Sequence, residues 1–148
     1  MAGAYKGGEH WAVNKWEGFG SVTTHAYPSG THGNRFVLNY VNKIGAAAYA
    51  KYEDIGTAPT GTTVAKPSFT VSAKGQASIG PLFIMEKMVN DFNADTANWR
   101  YAMIMPGGVT AGVTNGPNSS AMGFCHECHQ GAEDADYLFF LPEDVRAK

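Results

Sequence analysis

Hydrophobic and polar positions alternate with a period of two over several stretches of the chain, and these stretches predict strands. Arg35 to Val41 reads Arg-Phe-Val-Leu-Asn-Tyr-Val, with Phe36, Leu38 and Tyr40 on one side. Thr62 to Ser72 is rich in Thr and Val, Ala73-Lys74-Gly75-Gln76 predicts a turn, and Pro81 to Met88 returns the chain. Asn98 to Met105 alternates again, with Trp99, Tyr101, Met103 and Met105 on one face, and Pro106-Gly107-Gly108 ends it. Helical patterning is scarcer. Trp11, Ala12, Lys15 and Trp16 suit a short helix within Glu9 to Phe19, ended by Gly18 and Gly20. Asn42 is a candidate N-cap for a helix over Lys43 to Tyr52, where Ala46, Ala47, Ala48 and Ala50 favour helix and Gly56 lies beyond its end. Tyr27 to Asn34 and Thr110 to Pro117 read as loops, Ser119 or Ser120 as a cap for a helix running on from there, and Tyr137 to Leu141 as an apolar segment packing back onto the core. Hairpin turns outnumber crossover helices, so the expected class is α+β, a mainly antiparallel β-sheet with a few short helices.

At 148 residues and 44% hydrophobic content, without repeat or linker, residues 1–148 suit one domain with a sizeable core. The formal charge is −2 and the eleven Lys and Arg residues are scattered singly, which excludes the basic stripe that nucleic acid requires. No run of about eighteen apolar residues exists, so no membrane span is expected.

Composition changes the picture most through its two cysteines. Cys125-His126-Glu127-Cys128-His129 fits C-x-x-C-H, in which two thiols add to haem vinyl groups and the adjacent histidine reaches the iron. Residues three apart share a helical face, so Cys125 and Cys128 can meet neighbouring vinyls while His129 swings beneath the porphyrin. Structural zinc would need further cysteines or a His-x-x-x-His pair, and a redox dithiol would be expected at a junction in a parallel sheet. The expectation is therefore one covalent haem c with its iron on His129. Haem c is attached outside the cytoplasm in bacteria, so a periplasmic or otherwise exported protein follows. Met1 to Gly8 lacks the apolar core of a signal peptide, and a removed leader reconciles the two.

His126 and Glu127 fill the variable positions and receive no role. His10, His25 and His32 are candidate distal ligands, with His32 preferred. An axial methionine would have to come from Met85, Met88, Met103, Met105 or Met122, because the nineteen residues after His129 (130–148) contain none. An open sixth position is favoured, which means handling a small ligand rather than acting as a simple electron carrier.

The run His32-Gly33-Asn34-Arg35-Phe36-Val37-Leu38-Asn39-Tyr40-Val41-Asn42, the Gly45-Ala46-Ala47-Ala48-Tyr49 segment, Gly61-Thr62-Thr63-Val64-Ala65-Lys66, Gly80 to Met88 and Asn98-Trp99-Arg100-Tyr101 together resemble the cytochrome P-460 family, which includes the β-sheet cytochromes c′-beta. The resemblance implies an antiparallel β fold, a homodimer, a five-coordinate haem on His129 and a redox partner protein. In catalytic members a lysine is also cross-linked to the porphyrin, and the substrate is hydroxylamine. Lys66 matches that lysine, held extended by Pro67 and sharing a strand face with Val64 and Ser68. Arg35 matches a distal arginine. Catalytic members use a carboxylate shortly before the haem motif as proton acceptor, yet Thr114 to Phe124 holds no acid. The c′-beta members line the distal pocket with phenylalanine and bind nitric oxide or carbon monoxide, a role for which Phe36, Phe69 and Phe83 are candidates. Either branch implies a small nitrogen-oxide ligand or substrate.

Overall fold

The computed structural model describes residues 1–148, apart from the side chain of Ala2. Eight strands form one antiparallel sheet: β1 (Gly20–Ser21), β2 (Tyr27–Ser29), β3 (Arg35–Val37), β4 (Tyr40–Val41), β5 (Thr63–Val71), β6 (Ala77–Lys87), β7 (Trp99–Ile104) and β8 (Thr110–Val113). Two short helices, α1 (Ala46–Tyr49) and α2 (Gly123–His129), and several 3-10 turns complete an α+β fold. The main path runs β1-β4-β5-β6-β7-β8, while β3 pairs with β5 beside β4 and carries β2 on its other edge. Among the described residues no helix is long and apolar enough to cross a membrane.

The central β5–β6 hairpin is the best match to the alternating pattern. Gly75 takes a φ of +77°, and the Ser72 hydroxyl accepts from Lys74 N and Gln76 N, which closes the turn the sequence predicts. The register shifts between Pro67 and Phe69. Proline lacks the N–H a ladder needs, so a bulge beside it is the usual accommodation. Ser68 is consumed there, its hydroxyl donating to Pro81 O at 2.6 Å, and it does not share the wall of Lys66 and Val64.

The pleat sends alternate residues to opposite sides. On one face the cross-strand rows Ala65-Ile84-Ala102 and Pro67-Leu82-Ile104 lie under the N-terminal turns, and Tyr5, Ala12, Val13 and Trp16 close that core. On the other face the rows Val64-Met85-Tyr101 and Lys66-Phe83-Met103 lie under α2 and the C-terminal segment, whose Met122, Leu138, Leu141 and Val145 pack with Trp99 and Tyr49.

Several expectations are corrected. The stretch Arg35 to Val41 is two strands, broken at Leu38 and Asn39, and its fully buried side is Val37, Asn39 and Val41 rather than Phe36, Leu38 and Tyr40. With both faces of the sheet covered, apolar alternation does not by itself choose the inner one. Tyr27–Ser29 is a strand rather than loop, its proline tolerated at an edge. Thr110–Val113 is also a strand. The segment around Trp11 to Gly18 forms two 3-10 turns, not one helix. The alanine-rich helix is only Ala46–Tyr49, though Asn42 does hold its approach by accepting from Gly45 N at 3.0 Å. Neither Ser119 nor Ser120 caps α2, which continues directly from the Ser119–Met122 turn, while the Ser119 hydroxyl accepts from Asn115 N.

Candidate functional site

The second face of the sheet does not close completely. Between it and α2 lies a cavity of about 270 Å³. Its sheet wall carries Val64, Lys66, Phe83, Met85, Tyr101 and Met103, and its helical wall Phe124, Cys125, Cys128 and His129, with Leu138 and Phe139 from the C-terminal segment. The chain before β3 adds Thr31, His32 and Gly33, and β3 itself adds Arg35. The cavity thus gathers Cys125, Cys128, His129, Lys66 and Arg35, residues up to 94 positions apart in sequence (35 to 129).

α2, seven residues or about two turns, presents all three motif residues to one space. Both thiols are unpaired, Cys125 half-buried and Cys128 exposed. Burial raises the Cys125 thiol to about 11 and keeps it protonated. His129 is buried, its ring 5.5 Å from Tyr101 and 5.4 Å from Phe139. Its Nδ1 donates to Tyr137 O at 2.6 Å. A carbonyl only accepts, so the hydrogen is on Nδ1 and the Nε2 lone pair is free to ligate. Burial pulls the imidazole down to about 4, which secures the neutral form a metal needs.

The carbonyl that meets His129 is held by an unusual turn. Asp136 and Tyr137 both adopt left-handed φ, +50° and +63°, which costs non-glycine residues roughly 1–2 kcal/mol each. Buried polar contacts offset that cost. Asp136 accepts from Lys87 Nζ at 2.7 Å and from Ala58 N at 2.8 Å, and its carbonyl accepts from Trp99 Nε1 at 2.9 Å. Lys87 Nζ also donates to Ala97 O and lies 5.0 Å from the Trp99 ring. The sequence carries no local signal for this strap, whose members are 49 residues apart.

Lys66 is half-buried at the cavity wall beside the β5 bulge. Desolvation pulls its amine down to about 8, against an opposing pull from the Cys128 thiol. Arg35 lines the cavity as well, and its guanidinium packs over Gly80, where a Cβ would lie 2.7 Å from it, so a side chain at residue 80 would displace it. Phe83 lines the cavity as expected, but Phe36 and Phe69 are not among its lining. They stack on each other as cross-strand partners, ring centroids 5.5 Å apart. Phe124 and Phe139 take their place. Of the candidate methionines Met85 and Met103 line the wall, packed against the core cluster, and Met122 is buried beneath it. His126, given no role from the sequence, is buried against Tyr101 and Tyr137.

Two buried polar atoms here have no partner among the described residues, Tyr101 Oη and His126 Nδ1. Leaving such a group unpaired costs about 1–3 kcal/mol, so a polar site built around Tyr101 awaits something else. Two thiols one helical turn apart, a neutral histidine with a free Nε2 and an apolar slot with a cationic wall fit a haem. A family model for cytochrome P460 matches residues 13–140. The chain belongs to the cytochrome P460 family. Membership makes it a cytochrome, a haem protein, and the matched span contains every cavity residue named above. No curated protein matches the chain. Among the described residues no group of three or more His, Cys, Asp or Glu converges to form a separate metal site.

Proposed function

We propose that this cytochrome P460 member is an exported, single-domain, mono-haem protein in which Cys125 and Cys128 hold haem c covalently and His129 is the proximal iron ligand. The supporting observation is that α2 brings these three side chains to one cavity whose other wall carries Lys66. Bound there, haem supplies a redox-active iron whose properties depend on axial ligation and surroundings. The chain's own contribution is to fix the proximal imidazole through Tyr137 O, to exclude bulk water with Phe83, Met85, Met103 and Phe139, and to face the cavity with Lys66 and Arg35. A small nitrogen-oxide molecule, hydroxylamine or nitric oxide, is the expected substrate, oxidised with electrons passing to a redox partner protein. Lys66 is the residue expected to bond the porphyrin edge: its amine, lowered to about 8 by burial, would be available in its neutral, nucleophilic form just above neutrality, and the new N–C bond would replace a porphyrin C–H with loss of two electrons to a peroxide-class oxidant. The family resemblance also supports a homodimer.

A second reading, non-enzymatic binding of nitric oxide or carbon monoxide, is favoured by one observation: no Asp or Glu lines the cavity. An oxidation that sheds protons with electrons needs an acceptor for them, and the usual carboxylate is missing.

Intact mass and the optical spectrum of the reduced protein test these readings together. A mass equal to the polypeptide plus haem, with cysteine thiols blocked to alkylation, is expected, and free thiols would overturn the attachment. An ordinary Soret band would remove the Lys66 bond. Turnover of hydroxylamine with an artificial electron acceptor favours the enzyme, and its absence in a protein that binds nitric oxide favours the second reading. A ferrous spectrum unmoved by carbon monoxide would mean a strong sixth ligand and an electron carrier.

A further inference from the structure

Three histidines outside the haem motif are candidates for the distal face, and the structure separates them. His10 Nδ1 accepts from Ala12 N and caps a turn, and His25 is exposed beside Thr24. Neither lines the cavity. His32 does.

It is also held in place. His32 ends the Gly30–His32 turn, and Gly33, at a φ of +73°, swings the chain into β3. Its Nδ1 lies 2.8 Å from Ser29 Oγ and 3.2 Å from Thr31 Oγ1. We assign the Ser29 hydroxyl as the donor to Nδ1, which puts the ring hydrogen on Nε2. Phe83 clamps the ring edge-on, centroids 4.8 Å apart at 64°. Nε2 has no partner among the described residues. The cavity therefore holds two imidazoles, each with Nδ1 fastened to the protein and Nε2 left over. One of them, His129, belongs to the haem motif, so the other has a different task.

Resting on the haem reading above, we propose that His32 Nε2–H donates a hydrogen bond to the small molecule bound at the iron's open face, selecting anionic and strongly polar ligands over carbon monoxide. The clamp by Ser29, Thr31 and Phe83 makes the donor preorganised, so its bond is formed without ordering a side chain. Burial, with Lys66 and His129 nearby, pulls His32 down to about 3, so it donates as a neutral imidazole.

Azide binding to the ferric holoprotein and carbon monoxide binding to the ferrous holoprotein test this. His32→Phe is expected to lower azide affinity about ten-fold or more, the loss of roughly one hydrogen bond to an anion, and to leave carbon monoxide affinity unchanged. His32→Gln, which keeps an N–H donor, is expected to restore most of the azide affinity. A purely structural role would move both ligands alike in both variants, and that result overturns the proposal, as does unchanged azide affinity. A low-spin ferric spectrum in the wild type that becomes high-spin in His32→Phe would make His32 an iron ligand and overturn it too. Absence of covalent haem by mass would instead sink the haem reading itself, a failure visible before any ligand is added.

Discussion

Neighbouring residues of the same three strands serve two different faces of the sheet. Ala65, Leu82 and Ala102 point into a core sealed by Tyr5, Ala12, Val13 and Trp16, whereas Lys66, Phe83 and Met103, one position along each strand, form the wall of a cavity. Every residue of the sealed face just named is at most 3% exposed. The cavity face mixes a cation, thioethers and aromatic rings, and its lid is a short helix whose His129 is tied to a turn held by a buried ion pair. The pleat has divided labour by parity: one set of positions supplies stability, the alternate set supplies chemistry.

The largest expected effect attacks the lid. Asp136→Ala removes the partner of a buried Lys87 and one acceptor of the strap, and losing one member of a buried pair costs about 3–5 kcal/mol. Denaturant unfolding reads it directly, and the Lys87→Met/Asp136→Leu double variant should recover much of the loss, because both charges then go. Leu82→Ala, on the sealed face, should cost about 3 kcal/mol while leaving the haem spectrum and ligand affinities as in the wild type. A changed spectrum there would show that the two faces are not independent. Phe83→Ala, its immediate neighbour, enlarges a space that already exists and so should cost only about 1 kcal/mol. Its mark is a lower azide affinity, since His32 loses the ring that clamps it.

A further effect is one of pH. His129 and His32 are lowered from 6.5 to about 4 and about 3. An unfolded chain takes up protons on both as pH drops through 6.5, and the folded chain does so only near their lowered values. The stability they contribute is therefore complete above about 6.5 and is lost as pH falls towards 4. In His32→Phe the denaturation midpoint should fall less between pH 7.5 and pH 5 than in the wild type. An equal fall would mean that His32 protonates freely in the folded protein.

Much of this was legible in the order of residues. The β5–β6 hairpin, the Trp99–Ile104 strand with its Trp99, Tyr101 and Met103 face, and the antiparallel α+β class follow from period-two patterning and turn residues. Short edge strands did not, because Pro28 and Gly112 mask pairing that depends on partners remote in sequence. At the site, C-x-x-C-H announced itself, and Lys66 and Arg35, suggested by resemblance, do reach the same cavity. Phe36 and Phe69 are placed elsewhere because an aromatic residue on a strand shows its face only once register is known. The Lys87–Asp136 pair was silent, since a buried contact across 49 residues leaves no spacing to read.

The partner of His129 Nδ1 is a main-chain oxygen, not a side chain. Every amino acid brings that oxygen, so the bond asks nothing of the side chain at residue 137 beyond tolerance of its left-handed φ of +63°, which disfavours proline and β-branched residues. Variation can also reach His129 by tilting the carbonyl, through Asp136, Lys87 or Trp99. Diversification of the iron's electronic character in relatives of this chain should therefore be traced in those three positions as well as beside the histidine itself.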